Sequence, residues 1–245
     1  MSPNLYPESL NPFDSLITDI KNINNPSLTI QTTGKKEVDI GFDISTSVIG
    51  ICVLDATTGN LEKLTYIDLT NSKFEDIYDK VIFARNEIND LINNNPWEIK
   101  NLIVEEFAKQ FSAGFSSANT LFTLAMFNHA ICQYLFDRIN IKPNKVNVRT
   151  MRKLLQINID YKDKSESTKQ KIFKHVKNIN PSFPWLTHVA KSGKYKDQVV
   201  YDKENEDMAD SWVVAKGFWT LNSKSNNTIT NTIIVPKKKT RRLKK

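Results

Sequence analysis

Four acidic residues occupy positions in the sequence from which their carboxylates can meet in one place. Asp43 lies in a strand-like run, and Glu105 ends a short apolar run. Asp207 and Asp210 lie three residues apart in a helix-like segment, so they share one helical face. Carboxylates that are brought together repel one another unless a cation neutralises them, and oxygen ligands favour Mg²⁺ or Mn²⁺ over Zn²⁺. The pattern therefore predicts a divalent-metal site.

The elements that carry these acids predict an α/β domain with a mixed sheet. Apolar and alternating runs predict five strands, at 38–43, 48–54, 61–69, 102–105 and 145–148. Helical spacing predicts five helices, at 74–91, 116–138, 150–155, 167–176 and 206–221. Short turns join the first three strands, which are expected to be antiparallel, whereas helical crossovers join the last two, which are expected to be parallel.

The charge pattern divides the chain into regions. Residues 37–222 are interpreted as one domain, after a polar extension at 1–36 that includes a possible helix at 13–23. Within the domain, residues 142–196 carry 14 Lys or Arg and three acids, which suits a phosphate-binding surface or, alternatively, a solvated face. Residues 223–245 are polar and then basic. Their last nine residues hold seven Lys or Arg, which fits a nucleic-acid tether, a nuclear-localisation-like signal or a solvated tail.

Composition argues against several other classes of protein. No apolar run reaches the roughly 18 residues of a membrane span, and the first residues do not resemble a secretory signal. Cys52 and Cys132 lack metal-ligand spacing, which favours two buried free thiols in a reducing compartment.

The expected location is intracellular, with DNA, in the cytoplasm or nucleoid; the basic tail also permits a nucleus or organelle. We expect no membrane partner and no small-molecule cofactor.

Three short motifs resemble those of RuvC-type Holliday junction resolvases. The Gly-Phe-Asp at 41–43, the Ile-Val-Glu at 103–105 and the Asp-Met-Ala-Asp at 207–210 occur in the order of that family's acidic motifs. The resemblance covers roughly residues 38–220. It implies the ribonuclease H-like fold, whose element order is three strands, helix, strand, helix, strand and a closing helix. The Asn- and Lys-rich composition suggests a phage, viral or organellar type.

The resemblance implies a crossover-junction endodeoxyribonuclease that nicks four-way DNA junctions symmetrically and leaves 5′-phosphates. Two Mg²⁺ ions about 4 Å apart, replaceable by Mn²⁺, would activate water and stabilise the leaving oxygen. Asp43 would bridge both ions, Glu105 and Asp210 would each ligate one, and Asp207 would ligate or position the water. The long helix from residue 116 would pair two copies into a homodimer, and Phe115, Phe122, Met126 and Phe127 could serve that face or the core.

DNA contacts are expected mainly from the basic segment. The candidate DNA-binding residues are Lys145, Arg149, Arg152, Lys153, Lys169, Lys171, Lys174 and Phe107. Phe107 follows the second acidic motif, where family members present an aromatic ring to unstacked bases; Phe111 is a weaker candidate of the same kind.

Two features depart from the family pattern or leave the assignment open. Ser45 stands where family members often carry Gly, and Glu106 directly follows Glu105. Strand alternation places only one of the two glutamates on the face of Asp43, and we assign Glu105.

Other functions remain open at the level of sequence. An enzyme of the same fold could cleave RNA–DNA hybrids, or flap and branched DNA. Alternatively, the protein could bind junctions without catalysis. An ATP-binding protein of the actin, Hsp70 and sugar-kinase superfamily is disfavoured by the chain's seven glycines and by room for only one domain.

Overall fold

The computed structural model describes residues 34–70, 74–106 and 118–230, with side chains described up to residue 224. Its main sheet contains β1 (Lys36–Ile44), β2 (Val48–Asp55), β3 (Leu61–Asp68), β4 (Trp97–Glu105) and β5 (Asn144–Val146). The spatial order is β3-β2-β1-β4-β5. The β1–β2 and β2–β3 pairs are antiparallel, and the β1–β4 and β4–β5 pairs are parallel. The predicted mixed five-stranded sheet is therefore confirmed, with β1 at its centre.

Helices cover both faces of this sheet. Within the described ranges they are α1 (Ile77–Asn93), α2 (Ala118–Ile139), α3 (Val148–Leu154), α4 (Thr168–Ile179) and α5 (Glu204–Thr230). Three of them begin at side chains that accept hydrogen bonds from the free backbone N–H groups of the first turn. These caps are Asp76 for α1, Asn147 for α3 and Ser167 for α4, the last within a capping box with Gln170.

The core consists of two apolar layers, one on each side of the sheet. Ile40 and Phe42 of β1 pack into the layer that includes residues of α1 and α2. The opposite layer joins β2, β4 and β5 to residues of α3, α4 and α5. Because successive side chains of a strand point to opposite faces, Gly41 and Asp43 face α5. A Cβ on Gly41 would lie 2.7 Å from the Cβ of Ala215, so this glycine allows α5 to approach β1 closely.

Several element boundaries differ from the predicted ones. β4 begins at Trp97 because its first half pairs with the start of β1, although this half is polar. β5 ends at Val146 because Asn147 caps α3, and α5 extends to Thr230 instead of ending near residue 221. A hairpin of β6 (Thr187–Val189) and β7 (Val199–Tyr201) was not predicted. Residues 1–33 and 231–245, which hold most of the proposed extension and basic tail, lie outside the described residues.

Cys52 and Cys132 are both free and buried, as predicted. Among the described helices, none combines the length and apolarity that a membrane crossing requires.

Candidate active site

Asp43 and Glu105 lie at the ends of two adjacent parallel strands. The register pairs Phe42 with Val104, so the next residue of each strand, Asp43 and Glu105, emerges at the same edge of the sheet. Both follow the alternation that sends Gly41 and Ile103 towards α5. The same alternation directs Glu106 to the opposite face, and its backbone N–H donates to the Val146 carbonyl oxygen at 2.8 Å. The geometry therefore favours Glu105 over Glu106 as the acid on the face of Asp43.

Asp207 and Asp210 reach this site from the first turns of α5. Both are buried, and they follow Glu204 and Glu206 in the sequence. Acidic side chains are favoured there because the unpaired N–H groups of a helix start carry partial positive charge. α5 can lie flat on the sheet because Gly50 of β2 has no side chain beneath it. The four acids Asp43, Glu105, Asp207 and Asp210 are called the carboxylate cluster below.

Lys169, from the first turn of α4, contacts three of the four acids of this cluster. Its Nζ donates to Asp207 Oδ1 at 2.5 Å and lies 3.5 Å from Asp210 Oδ2 and 3.7 Å from Asp43 Oδ2. The sequence predicted Lys169 as a phosphate contact. In the structure its ammonium instead neutralises part of the negative charge of the acids.

Arg152, from α3, supplies a second cation. Its Nη2 donates to Asp210 Oδ1 at 3.2 Å, and its side chain is only 15% exposed. Its Nε is buried and has no hydrogen-bond partner, so the guanidinium is incompletely satisfied in this arrangement. Arg152 was also predicted as a phosphate contact, but its burial against Asp210 gives it a different position from the exposed Arg149 on the same helix.

Asp43, Glu105 and Asp210 are held where ionisation is unfavourable. Burial and then the negative charge of Asp210 raise the pKa of Asp43 well above its usual value, and Lys169 opposes this only in part. The same two causes raise the pKa of Glu105, and burial raises the pKa of Asp210. For Lys169, burial acts to lower the pKa, but the charges of Asp43, Asp210 and Asp207 together raise it above the usual value for lysine. Binding of positive charge at this site is therefore favourable.

The remaining predicted DNA contacts lie in different surroundings. Arg149 and Lys153 are exposed on α3. Lys171 contacts Asp163 and donates to the carbonyl oxygens of residues 160 and 163, and Lys174 pairs with Glu166. Phe107, Phe111 and Phe115 lie outside the described residues.

Lys145 is separated from the carboxylate cluster by the sheet. Val146 packs into the layer under α5, so Lys145 projects from the opposite face, near Cys132 of α2. The net charge of the basic segment predicts Lys145 as a DNA contact, but net charge carries no information about which face of the strand a side chain occupies.

Ser45, the departure from the family pattern, has a structural role in the turn between β1 and β2. Its Oγ donates to the Val48 carbonyl oxygen at 2.8 Å and accepts from the Val48 N–H at 3.0 Å. The hydroxyl therefore stabilises the turn that follows Asp43.

Glu206 is an acid that sequence reasoning did not single out. Burial raises its pKa and Lys169 lowers it, so it lies at the border of the cluster. Its position one residue before Asp207 was the available signal. Glu206 also lines a cleft of about 800 Å³ beside α4, together with Lys174, Lys177, Tyr195 and Tyr201.

Two observations bear on whether the cluster fits a divalent cation. Its donors are all carboxylate oxygens, which suit Mg²⁺ or Mn²⁺, and Lys169 Nζ already stands in as a cation among three of them. The four carboxyl groups face only two cationic side chains, Lys169 and Arg152. Among the residues that the structure describes, however, no three acidic, His or Cys side chains are arranged to hold one ion as they stand. The donor chemistry fits a metal, and the position of Lys169 must change to admit one.

Comparison of the sequence with protein-family models and with curated proteins gives no match. Among solved structures, Thermus thermophilus RuvC in complex with a Holliday junction substrate is similar over 77% of this chain and 96% of that chain, with a TM-score of 0.50 and 12% identity. The yeast mitochondrial Holliday junction resolvase Ydc2 is similar over 80% of this chain and 83% of that chain, with a TM-score of 0.48 and 14% identity. The similarity to the RuvC complex confirms the predicted ribonuclease H-like fold.

Proposed function

We propose that the protein is a metal-dependent, structure-specific endodeoxyribonuclease that resolves four-way DNA junctions. The observation that carries this proposal is the convergence of Asp43, Glu105, Asp207 and Asp210 from β1, β4 and α5 within a RuvC-like fold. A protein that only bound DNA would gain nothing from buried acids beside the phosphates, because like charges repel.

The carboxylate cluster would hold two Mg²⁺ ions, with Mn²⁺ as a substitute. When bound, the ions would activate water for attack on a phosphodiester and stabilise the leaving oxygen. Asp43, near the end of the central strand, would ligate both ions, and Glu105 and Asp210 would each ligate one. Asp207, one turn before Asp210 on α5, would ligate or orient the water. Arg152 holds Asp210 in place through its hydrogen bond and opposes the effect of burial on the pKa of Asp210.

Substrate phosphates would bind the basic side chains around the cluster. Arg149 and Lys153 are exposed on α3, the helix that carries Arg152, and Lys171 and Lys174 lie on α4, the helix that carries Lys169. Phosphate contacts of this kind position a duplex without reading its sequence. Specificity for a junction would then come from the shape of branched DNA.

Two copies of the chain, paired through α2, would match the two-fold character of a four-way junction and cut two strands symmetrically. Phe122 and Met126 lie one turn apart on α2 and are 64% and 43% exposed, so this helix presents two neighbouring apolar side chains at its surface. Phe127 does not belong to this face, because it is fully buried in the core.

Cleavage of end-labelled four-way junction, linear duplex and RNA–DNA hybrid in Mg²⁺ would test the proposal. Paired nicks at symmetric positions of the junction, with ends that a ligase reseals, support junction resolution that leaves 5′-phosphates. Cleavage of the hybrid alone would assign the protein to ribonuclease H-like cleavage of RNA. Tight junction binding without cleavage of any substrate would contradict a nuclease function and favour a junction-binding protein.

A further inference from the structure

Lys169 differs from Lys171 and Lys174 of α4 in what its ammonium contacts. Lys174 pairs with Glu166, outside the cluster, and Lys171 with Asp163. Lys169 alone of these three reaches Asp43, Asp207 and Asp210. The capping box of Ser167 and Gln170 fixes the start of α4, and so the backbone from which Lys169 projects. The fold therefore fixes the point from which the Lys169 side chain reaches the cluster.

The position of this ammonium is incompatible with a divalent ion at the same point. A Mg²⁺ ion bound by Asp207 and Asp210 needs the carboxylate oxygens that Lys169 Nζ now contacts at 2.5 and 3.5 Å. Two Mg²⁺ ions would balance the charge of the four acids without help from Lys169. Charge balance therefore favours release of the ammonium when the ions bind.

A cleft beside α4 can accommodate the Lys169 side chain after its release. The Lys169 side chain is 45% exposed, so rotation of its long stem does not open the core. Lys169 also lines the cleft of about 800 Å³ that Lys174 and Lys177 share with Tyr195 and Tyr201 of the hairpin region. In that cleft, whose lining has four lysines and three acidic side chains, the ammonium would add to the positive charge available to a nucleic-acid phosphate.

We propose that Lys169 is an internal, displaceable cation that occupies the metal position in the free protein and moves to the substrate side when divalent ions bind. This inference rests on the proposed function. It assigns to the Lys169 ammonium the role of holding the acids of that site together when no metal is bound. Lys169 and the metal then compete for the same carboxylates. Removal of the ammonium should therefore strengthen metal binding, by about 5- to 150-fold for a coupling of ordinary size.

The test is Mn²⁺ binding to the full chain without DNA, measured by electron paramagnetic resonance of free Mn²⁺. Lys169→Met is compared with wild type and with Lys174→Met, which removes a lysine from the same helix and the same cleft but not from the cluster. We expect at least a fivefold lower dissociation constant for Lys169→Met and an unchanged one for Lys174→Met. Lys169→Gln serves as a second variant in case the apolar methionine impairs folding.

Melting temperatures in EDTA and in Mn²⁺ give an independent readout. Loss of the ammonium leaves buried acids uncompensated, so Lys169→Met should melt below wild type in EDTA and gain more from Mn²⁺ than wild type does. Equal or weaker Mn²⁺ affinity in both Lys169 variants would overturn the inference while leaving the proposed nuclease intact. Absence of Mn²⁺ binding in wild type and in both variants would overturn the inference together with the metal dependence.

Discussion

The backbone of Asp207 lies directly against Gly50: a Cβ on Gly50 would stand 2.2 Å from the carbonyl oxygen of Asp207 and 2.7 Å from its carbonyl carbon. The contact sets how closely the start of α5 approaches β2. Since Asp207 and Asp210 both project from this part of α5, the position of half the carboxylate cluster depends on the absence of one side chain in the sheet.

Gly50→Ala should displace α5 and impair the site. The clash is with backbone, which cannot rotate away, so we expect a loss of about 1–3 kcal/mol in the free energy of unfolding. Junction cleavage should fall by much more than stability predicts. Ile49→Val is the matched control, because Ile49 packs into the opposite layer and this change typically costs about 0.5–1.5 kcal/mol without moving α5. Urea unfolding and single-turnover cleavage measure both effects; equal cleavage by the two variants would contradict the role of Gly50.

Asp43→Asn should stabilise the metal-free protein at alkaline pH. A carboxyl whose pKa is raised by folding contributes stability below its unfolded pKa, and this contribution is lost as the pH rises through the folded pKa. Wild type should therefore unfold at lower urea than Asp43→Asn at pH 8 in EDTA, with the difference shrinking towards pH 4. Mg²⁺ should reverse the order, because it binds the intact cluster better. A less stable Asp43→Asn at pH 8 in EDTA would show that Asp43 is not held under electrostatic strain.

Arg152→Gln should shift the pH dependence of cleavage. Arg152 lowers the pKa of Glu105 and of Asp210, so without it both acids need a higher pH to ionise. The acid limb of the profile of kcat/KM against pH should move to higher pH, and the rate at neutral pH should fall about 10- to 100-fold, as for other residues that position metal ligands.

Arg149→Gln is the comparison for Arg152→Gln, since Arg149 is exposed on the same helix. It should weaken junction binding, and it should reduce the slope of log affinity against log salt by about one, without moving the acid limb. The same shift of the pH profile in both variants would mean that Arg152 acts only as a general positive charge.

Phe122→Glu should convert a dimer into monomers. A charge in the middle of an apolar contact is left desolvated and unpaired, which opposes association. Sedimentation analysis of wild type and variant measures the mass, with Tyr161→Glu as the control, because Tyr161 is 60% exposed and lies in the segment between α3 and α4, far along the chain from α2. A wild-type monomer, or a Phe122→Glu dimer, would contradict pairing through this face.

The sequence predicts the fold and part of the candidate site, because both depend on local patterns of apolar and acidic residues. The strands of the sheet carry runs of buried residues, and strand alternation is the basis for choosing Glu105 over Glu106. The β6–β7 hairpin was missed because three-residue strands carry too little pattern to recognise. The contact of Lys169 with the cluster depends on how α4 packs against α5, and no local pattern encodes that packing. The opposite placement of Lys145 follows from Val146, whose burial was not considered.

The most direct test of the central claim is the single-turnover rate of junction cleavage in Mg²⁺ for wild type, Asp43→Asn and Asp39→Asn. Asp39 lies on the same face of β1 as Asp43 and is also buried, but its carboxylate accepts a hydrogen bond from Asn101 at 2.7 Å, outside the cluster. If the cluster supplies about 4 kcal/mol or more of transition-state stabilisation, Asp43→Asn should lose about 10³-fold or more in rate, whereas Asp39→Asn stays within tenfold of wild type. Cleavage by Asp43→Asn at the wild-type rate, with junction binding retained, would contradict a metal-dependent nuclease centred on Asp43.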